Sequence, residues 1–321
     1  MSDAPGQRGR LRSAARPAII AVLAAAAEAL PPLTRRLREG LTIFAFHDVT
    51  PTPSPYEERF LLATSVELFR AQVRWIVERY QVVHPDLLLQ DDPELPARAA
   101  MLTFDDGWAG TFDHAFPVLE QLGLPSLTFV NMSTVAGMAD VAALVAYLAD
   151  DGHGPGTGAA HPPWPGPASF ADRDLDAPAD EGIAAYQGDF ATPERLRRWD
   201  GHPLVRYGNH LHRHWDSSAL DDEQFAEAFG RNVAALDVYE STLPFFAFPF
   251  GRPGEHFTER QVHLTLELGA QRVFSGLPER NLPPYAPYLH RVSFTPADMT
   301  PAQRWYSTHH RWLRRALRID R

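Results

Sequence analysis

Hydrophobic positions along this chain fall into two recurring patterns. Continuous apolar runs, as in Leu41 to Val49 (LTIFAFHDV), Met101 to Phe104 and Pro125 to Val130 (PSLTFV), predict strands buried on both faces. Between them apolar residues return at helical spacing: Phe69, Val73, Ile76 and Val77 within Val66 to Arg79, and Phe225, Phe229, Val233 and Leu236 within Asp221 to Tyr239. A helix is also expected over Phe112 to Leu122, stopped by Gly123, and another after Thr192, an N-cap followed by a first-turn proline, Pro193. Strand and helix in alternation predict βαβ units and a mostly parallel sheet. The alternation breaks from Gly152 to Glu181, where Gly, Pro, Ala and Asp dominate and Trp164 stands among prolines, which is the pattern of a long inserted loop.

Two stretches carry candidate chemistry. The run Met101 to Phe104 stops on Asp105, Asp106 and Gly107, so two carboxylates stand at a strand's C-terminal end, where α/β sheets and barrels gather functional groups. A solvated Asp-Asp-Gly turn has the same letters, and the pair alone decides nothing. Farther on, Tyr207 to Asp216 (YGNHLHRHWD) holds His210, His212 and His214 within five residues. Alternate residues share a face of an extended chain and residues four apart share a face of a helical turn, so either geometry brings His210 and His214 towards one point. Two imidazoles and one carboxylate form a facial set that binds a divalent ion and leaves positions open for water and substrate.

Composition narrows the classes. With 45% hydrophobic residues over 321 positions the chain can bury a sizeable core. A formal net charge of −10 argues against a nucleic-acid binder and against polyanionic substrates. The absence of cysteine rules out disulfides and thiolate metal sites, so a metal must be held by His, Asp and Glu.

Thr103 to Gly107 (TFDDG), the H-x-x-x-H at His210 to His214 and the later Phe248 to Gly251 (FPFG) succeed one another like the leading motifs of the polysaccharide deacetylases, carbohydrate esterase family 4, which the chain resembles over about Leu41 to Phe294. Phe46 to Val49 (FHDV) and PSLTFV are similar to that family's first strand and to the strand after its Asp-Asp motif. The resemblance implies an α/β fold, a distorted (β/α) barrel with the motifs at the strands' C-terminal ends, and a hydrolase removing acetyl from N-acetylated sugars. Carried over by position, it implies Asp105 as catalytic base, Asp106, His210 and His214 as ligands of Zn²⁺ (Co²⁺ or Ni²⁺ also fitting such donors), and the N–H of Phe250, after Pro249, as oxyanion donor. His290, in YLHRV, answers to the family's general acid, although Tyr288 stands where leucine is usual. Where many members have arginine two residues before the motif proline this chain has Ala247, and Arg291 or Arg252 is the expected replacement. Leu211 stands where serine or threonine usually follows the first metal histidine, and His212 is expected outside the ligand set. His47 and Asp48 are expected either to line the same mouth or to serve as strand-end residues.

The organisation expected is a helical extension over residues 1–40, a catalytic domain over 41–300 with an inserted loop at about 139–190, and a basic tail over 301–321. The loop is expected to shape a substrate-specific rim. Arg8 to Ala29 has the grammar of a secretory signal, and equally of an amphipathic or docking helix, so the chain is read as cytoplasmic and membrane-peripheral or as exported. From Arg304 to Arg321 six arginines meet one aspartate, a formal +5 that leaves −15 on the rest. Trp305, His309, Trp312 and Ala316 share a helical face, which either rests on an anionic membrane, suiting a lipid-linked sugar, or packs on the acidic body. The partner expected is an N-acetylated glycan or lipid-linked sugar, with no nucleic acid. The other readings are an amide hydrolase with a non-glycan or deformylation-type substrate, and a non-catalytic glycan-binding module.

Overall fold

The computed structural model describes residues 22, 24–26, 39–150, 166–170 and 174–316. The signal or docking reading of the N-terminus, residues 151–165 of the insertion and the last residues of the tail lie outside the described residues. Seven parallel strands close into a barrel: β1 (Leu41–Phe46), β2 (Ala99–Phe104), β3 (Ser126–Val130), β4 (Val205–Asn209), β5 (Thr242–Ala247), β6 (Arg272–Ser275) and β7 (Tyr288–Ser293). Neighbours in the ring follow chain order, and β1 closes it by pairing with both β2 and β7, Ala45 opposite Thr103 and Ile43 opposite Arg291. The ring is irregular at β2. Its first residues, Ala99 and Ala100, pair with a two-residue strand, Gln81–Val82, and its last, Thr103 and Phe104, pair with Leu127 and Thr128 of β3. This is the distorted (β/α) barrel expected.

Period-two alternation divides each strand between two cores. Ile43, Met101, Leu127, Phe129, Phe245 and Phe274 fill the barrel, while Phe44, Phe46, Leu102 and Phe104 face outward against the surrounding helices. Those helices are α1 (Pro55–Phe60), α2 (Val66–Val77), α3 (Phe116–Leu122), α4 (Val141–Asp150), α5 (Glu181–Gln187), α6 (Pro193–Trp199), α7 (Asp222–Leu236), α8 (Glu259–Glu267) and α9 (Pro301–Ala316). Their starts are set by side-chain caps: Ser65 accepts from Leu68 N–H, Thr192 from Arg195 N–H, and Asp221 forms a reciprocal box with Gln224. Among the described residues no helix is long and apolar enough to cross a membrane.

Three sequence expectations change. The insertion is not a continuous loop, because the Ala- and Leu-rich stretch after Asp140 forms α4, and Asp180 caps α5. The helix expected from Phe112 begins with a wider π turn at Thr111–Ala115 before α3. On α7 the core-facing position is Asn232, fully buried, and Val233 is 43% exposed. Asn232 donates to the carbonyl of Val130 and to Asn209 Oδ1, and accepts from Met132 N–H, so hydrogen bonds compensate for burying an amide where an apolar side chain was expected. In the tail, Trp305 and His309 are buried, Trp305 in the outer core with Trp75 and Phe294.

Candidate active site

The strand ends converge on a cleft of about 250 Å³ lined by Asp105, Asp106, His210, His214, Arg291 and His47, with Tyr56, Phe248 and Phe250 as its apolar wall. Sharp turns put the polar groups there. Gly107 N–H donates to Asp105 O at 2.9 Å across Asp106, whose φ is 72°, and Gly251 N–H donates to Pro249 O at 2.6 Å across Phe250, whose φ is 59°. Both are three-residue turns with a non-glycine centre in the left-handed region, a conformation kept only where the surroundings enforce it. Gly107 itself has φ 80°, and a Cβ there would stand 2.9 Å from a Val130 methyl, so the third motif position admits only glycine. Between the two histidines Leu211, φ 64°, turns the chain so that His210 and His214 face the same atom.

That atom is Asp106 Oδ1. It is buried without a hydrogen-bond partner among the described residues, and the Nε2 atoms of His210 and His214 stand 3.2 and 3.4 Å from it. Ligand atoms of the three residues all lie within 4.8 Å of one another. His210 Nδ1 donates to Ala247 O at 2.7 Å, which fixes the tautomer and leaves Nε2 as the donor atom for a metal. Burial would raise the Asp106 carboxyl, but the neighbouring His214, His47 and His210 hold it far below the usual carboxylate range. Burial would likewise lower His214, and Asp106 and Asp140 bring it up to about 9. Two imidazoles and a carboxylate turned on one buried point, with an orphaned oxygen at its centre, fit a divalent ion.

Asp105 is held differently. Arg291 reaches across the barrel from β7 and grips it with two charge-assisted hydrogen bonds, Nη1 to Oδ1 at 2.5 Å and Nη2 to Oδ2 at 2.8 Å. The guanidinium is 2% exposed, lies over the Phe129 ring at 5.1 Å and donates through Nε to Ser275 O. Burial would raise the Asp105 carboxyl, but Arg291, with His210 and His47, lowers it below its ordinary range. Two acids adjacent in sequence are thereby given separate partners, one a guanidinium and one a metal-type imidazole pair.

The sequence model of the polysaccharide deacetylases matches residues 92–272, more than half of the chain. The chain belongs to the polysaccharide deacetylase family. The family's members are metal-dependent carbohydrate de-N-acetylases, and the buried Asp106, His210 and His214 set is present here. Comparison with curated proteins finds no match. Among solved structures, IcaB from Ammonifex degensii superposes with a TM-score of 0.57 at 23% identity, covering 84% of this chain and 97% of that one. PplD, a deacetylase from Streptococcus pyogenes determined in complex with acetate, gives 0.56 at 16% identity over 84% and 98%. A de-N-acetylase from Aggregatibacter actinomycetemcomitans gives 0.53 at 14% identity over 79% and 94%. At these identities the likeness speaks for the fold.

This deacetylase departs from its family's pattern in ways the structure accounts for. Ala247 cannot reach Asp105, and Arg291 takes the missing arginine's place, whereas Arg252 is exposed and pairs with Glu255 at 3.3 Å. His290, expected as general acid, is not brought into the cleft. Strand alternation points Leu289, Arg291 and Ser293 inward, so His290 faces the other way and its Nδ1 meets Ser275 Oγ at 2.9 Å. His47, one residue beyond β1, lines the cleft instead, while Asp48 turns into a neighbouring polar cavity beside Glu57. His212 points away from the metal set into a separate cavity with Trp215 and Arg231, where burial and then Arg231 and Arg213 bring it down to about 4. Sequence reading missed Asp140, whose Oδ2 stands 3.3 Å from His214 Nδ1, and Trp108, whose indole N–H donates to Asp106 Oδ2 at 2.9 Å. The only sequence signal for either was its nearness to a motif or to a helix start.

Proposed function

We propose that this chain hydrolyses the acetamide of an N-acetylated glycan in bacterial surface polysaccharide assembly or modification, with Asp106, His210 and His214 holding zinc. The observation that carries the reading is the pairing of an Arg291-clamped Asp105 with the Asp106, His210 and His214 set in one cleft. A divalent ion held by Asp106, His210 and His214 would supply Lewis acidity there, polarising an amide carbonyl and making a water more acidic. Asp105, kept ionised by Arg291, accepts a proton from the attacking water at its carboxylate. The Phe250 N–H, presented by the turn at Pro249, donates to the carbonyl oxygen as negative charge develops on it. His47 supplies a proton to the amide nitrogen as the C–N bond breaks, releasing acetate and a free amine on the sugar. His290 has no part in this scheme.

The test is acetate release from N-acetylglucosamine oligomers and lipid-linked N-acetylated sugars by the wild type, the chelated protein, the zinc-restored protein and Asp105→Asn. Release that requires both metal and Asp105, falling by about 10²–10⁴ in the variant, is expected. Release untouched by Asp105→Asn, or by chelation, would overturn the assignment.

A further inference from the structure

The insertion between β3 and α6 enters and leaves the barrel beside the metal set, and both of its ends touch groups that orient a ligand. At the entering end Asp140 is 1% exposed. Its Oδ1 accepts from Ala143 N–H and so starts α4, and its Oδ2 faces His214 Nδ1 at 3.3 Å. At the leaving end residues 189–191 run antiparallel to the motif loop: Ala109 N–H donates to Asp189 O at 2.9 Å and Ala191 N–H to Gly107 O at 2.8 Å. This pairing lays Phe190 flat on Trp108, ring centroids 4.1 Å apart and planes 23° apart, with the Tyr56 ring centroid 6.4 Å from that of Trp108. Trp108 is 1% exposed, and its N–H occupies Asp106 Oδ2, leaving Oδ1 as the oxygen turned to the imidazoles. The two ends are also joined to each other, since Asp140 N–H donates to Gln187 Oε1 at 2.9 Å and Ala179 N–H to Gly137 O at 3.0 Å.

We propose that the insertion builds the outer shell of the metal set, Asp140 orienting His214 and the Phe190–Trp108 stack holding Asp106 as a one-oxygen ligand, with Gln187 locking the two ends together. The proposal rests on the reading of Asp106, His210 and His214 as metal ligands. It goes beyond the expectation that the insertion shapes a substrate-specific rim, because it makes metal affinity depend on residues that never touch the ion. A carboxylate on the far nitrogen of a ligating histidine raises that ligand's basicity, and a donor on the second oxygen of a ligating carboxylate fixes its rotamer; loss of such partners typically weakens metal binding by about 10–100-fold. Asp140, Trp108, Phe190 and Gln187 are therefore positioning residues.

The experiment is a zinc titration of the full chain against a fluorescent competing chelator, with the visible spectrum of the Co²⁺ form and the thermal unfolding of the metal-free protein measured alongside. Trp108→Phe keeps a stacking ring and removes the N–H together with the five-membered ring that carries it; Asp140→Asn keeps the cap on α4 and removes the charge. Each is expected to raise the zinc Kd by about 10–100-fold and to alter the Co²⁺ spectrum, and Asp140→Asn to leave metal-free unfolding near that of the wild type. Gln187→Met is expected to act in the same direction more weakly, and Glu181→Gln, on the exposed side of α5, to leave the Kd unchanged. If Trp108→Phe fails to fold, Asp140→Asn decides the matter. Tight zinc binding by the wild type with an unchanged Kd in the folded variants would overturn the proposal, and no binding by the wild type would instead overturn the ligand assignment beneath it.

Discussion

Arg291 shows how much chemistry rests on one side chain. A buried carboxylate without a partner takes up a proton, and Asp105 stays ionised because a guanidinium two per cent exposed meets both of its oxygens. Replacing Arg291 with Gln removes the charge that outweighs burial, so the Asp105 pKa rises and the base is lost at low pH. The acid limb of the kcat/KM profile is expected to move to higher pH, and kcat at neutral pH to fall by about 10²-fold or more. A profile superposable on that of the wild type would remove Arg291 from its role. At this scale the motif strings were legible: Asp105, Asp106, His210 and His214 meet as their spacing and family resemblance implied. His290 was not, because a matching letter in a strand does not tell which face the residue occupies, and one step along β7 exchanges His290 for Arg291.

Between elements, the junction of β1, α1 and the π turn holds a second acid pair. Asp48 and Glu57 are 4% and 3% exposed and line one polar cavity, and a Cβ on Gly110 would collide with the Asp48 carboxylate at 2.5 Å. Burial, and then the charge of Glu57, raises the Asp48 carboxyl well above its ordinary 3.8. Unfolded, Asp48 releases its proton near 3.8; folded, it keeps it to higher pH, so the folded state binds more protons in that interval. The contribution of Asp48 to stability is therefore greatest in acid and declines as pH rises from about 4. Asp48→Asn abolishes the decline. Urea unfolding at several pH values is expected to show the variant gaining on the wild type from acid towards neutral pH; parallel curves would mean that Asp48 titrates normally in the folded protein. The helices α2, α6 and α7 and the Thr192 cap of α6 followed from local sequence, whereas Asn232 on the buried face of α7 was invisible because its partners, Val130, Asn209 and Met132, are 102, 23 and 100 residues away and come from other elements.

For the molecule as a whole, the closure of the barrel depends on what covers its outside. Helix α9 supplies part of that cover: Trp305 is 3% exposed against Trp75 and Phe294, and Arg304 donates to the carbonyls of Ala71, Asp298 and Met299. Trp305→Ala is expected to cost about 3–5 kcal/mol in urea unfolding. Trp305 does not line the cleft, so the zinc Kd of the folded variant should stay that of the wild type. A loss below about 1 kcal/mol would show that α9 contributes little to the body's stability.

Taken by itself the sequence determined the alternation of buried strands and helices, the parallel α/β class and the acidic and histidine motifs that meet in the cleft, because these rest on local periodicity, on backbone turns that particular residues permit and on short motifs. Tertiary structure decided which strand face each late residue took, that Arg291 replaces the arginine absent at Ala247, that His47 rather than His290 enters the cleft, and that the insertion's ends reach Asp106 and His214. Those outcomes depend on closing the ring, which sets Ile43 opposite Arg291, 248 residues along the chain, and no local pattern carries that distance.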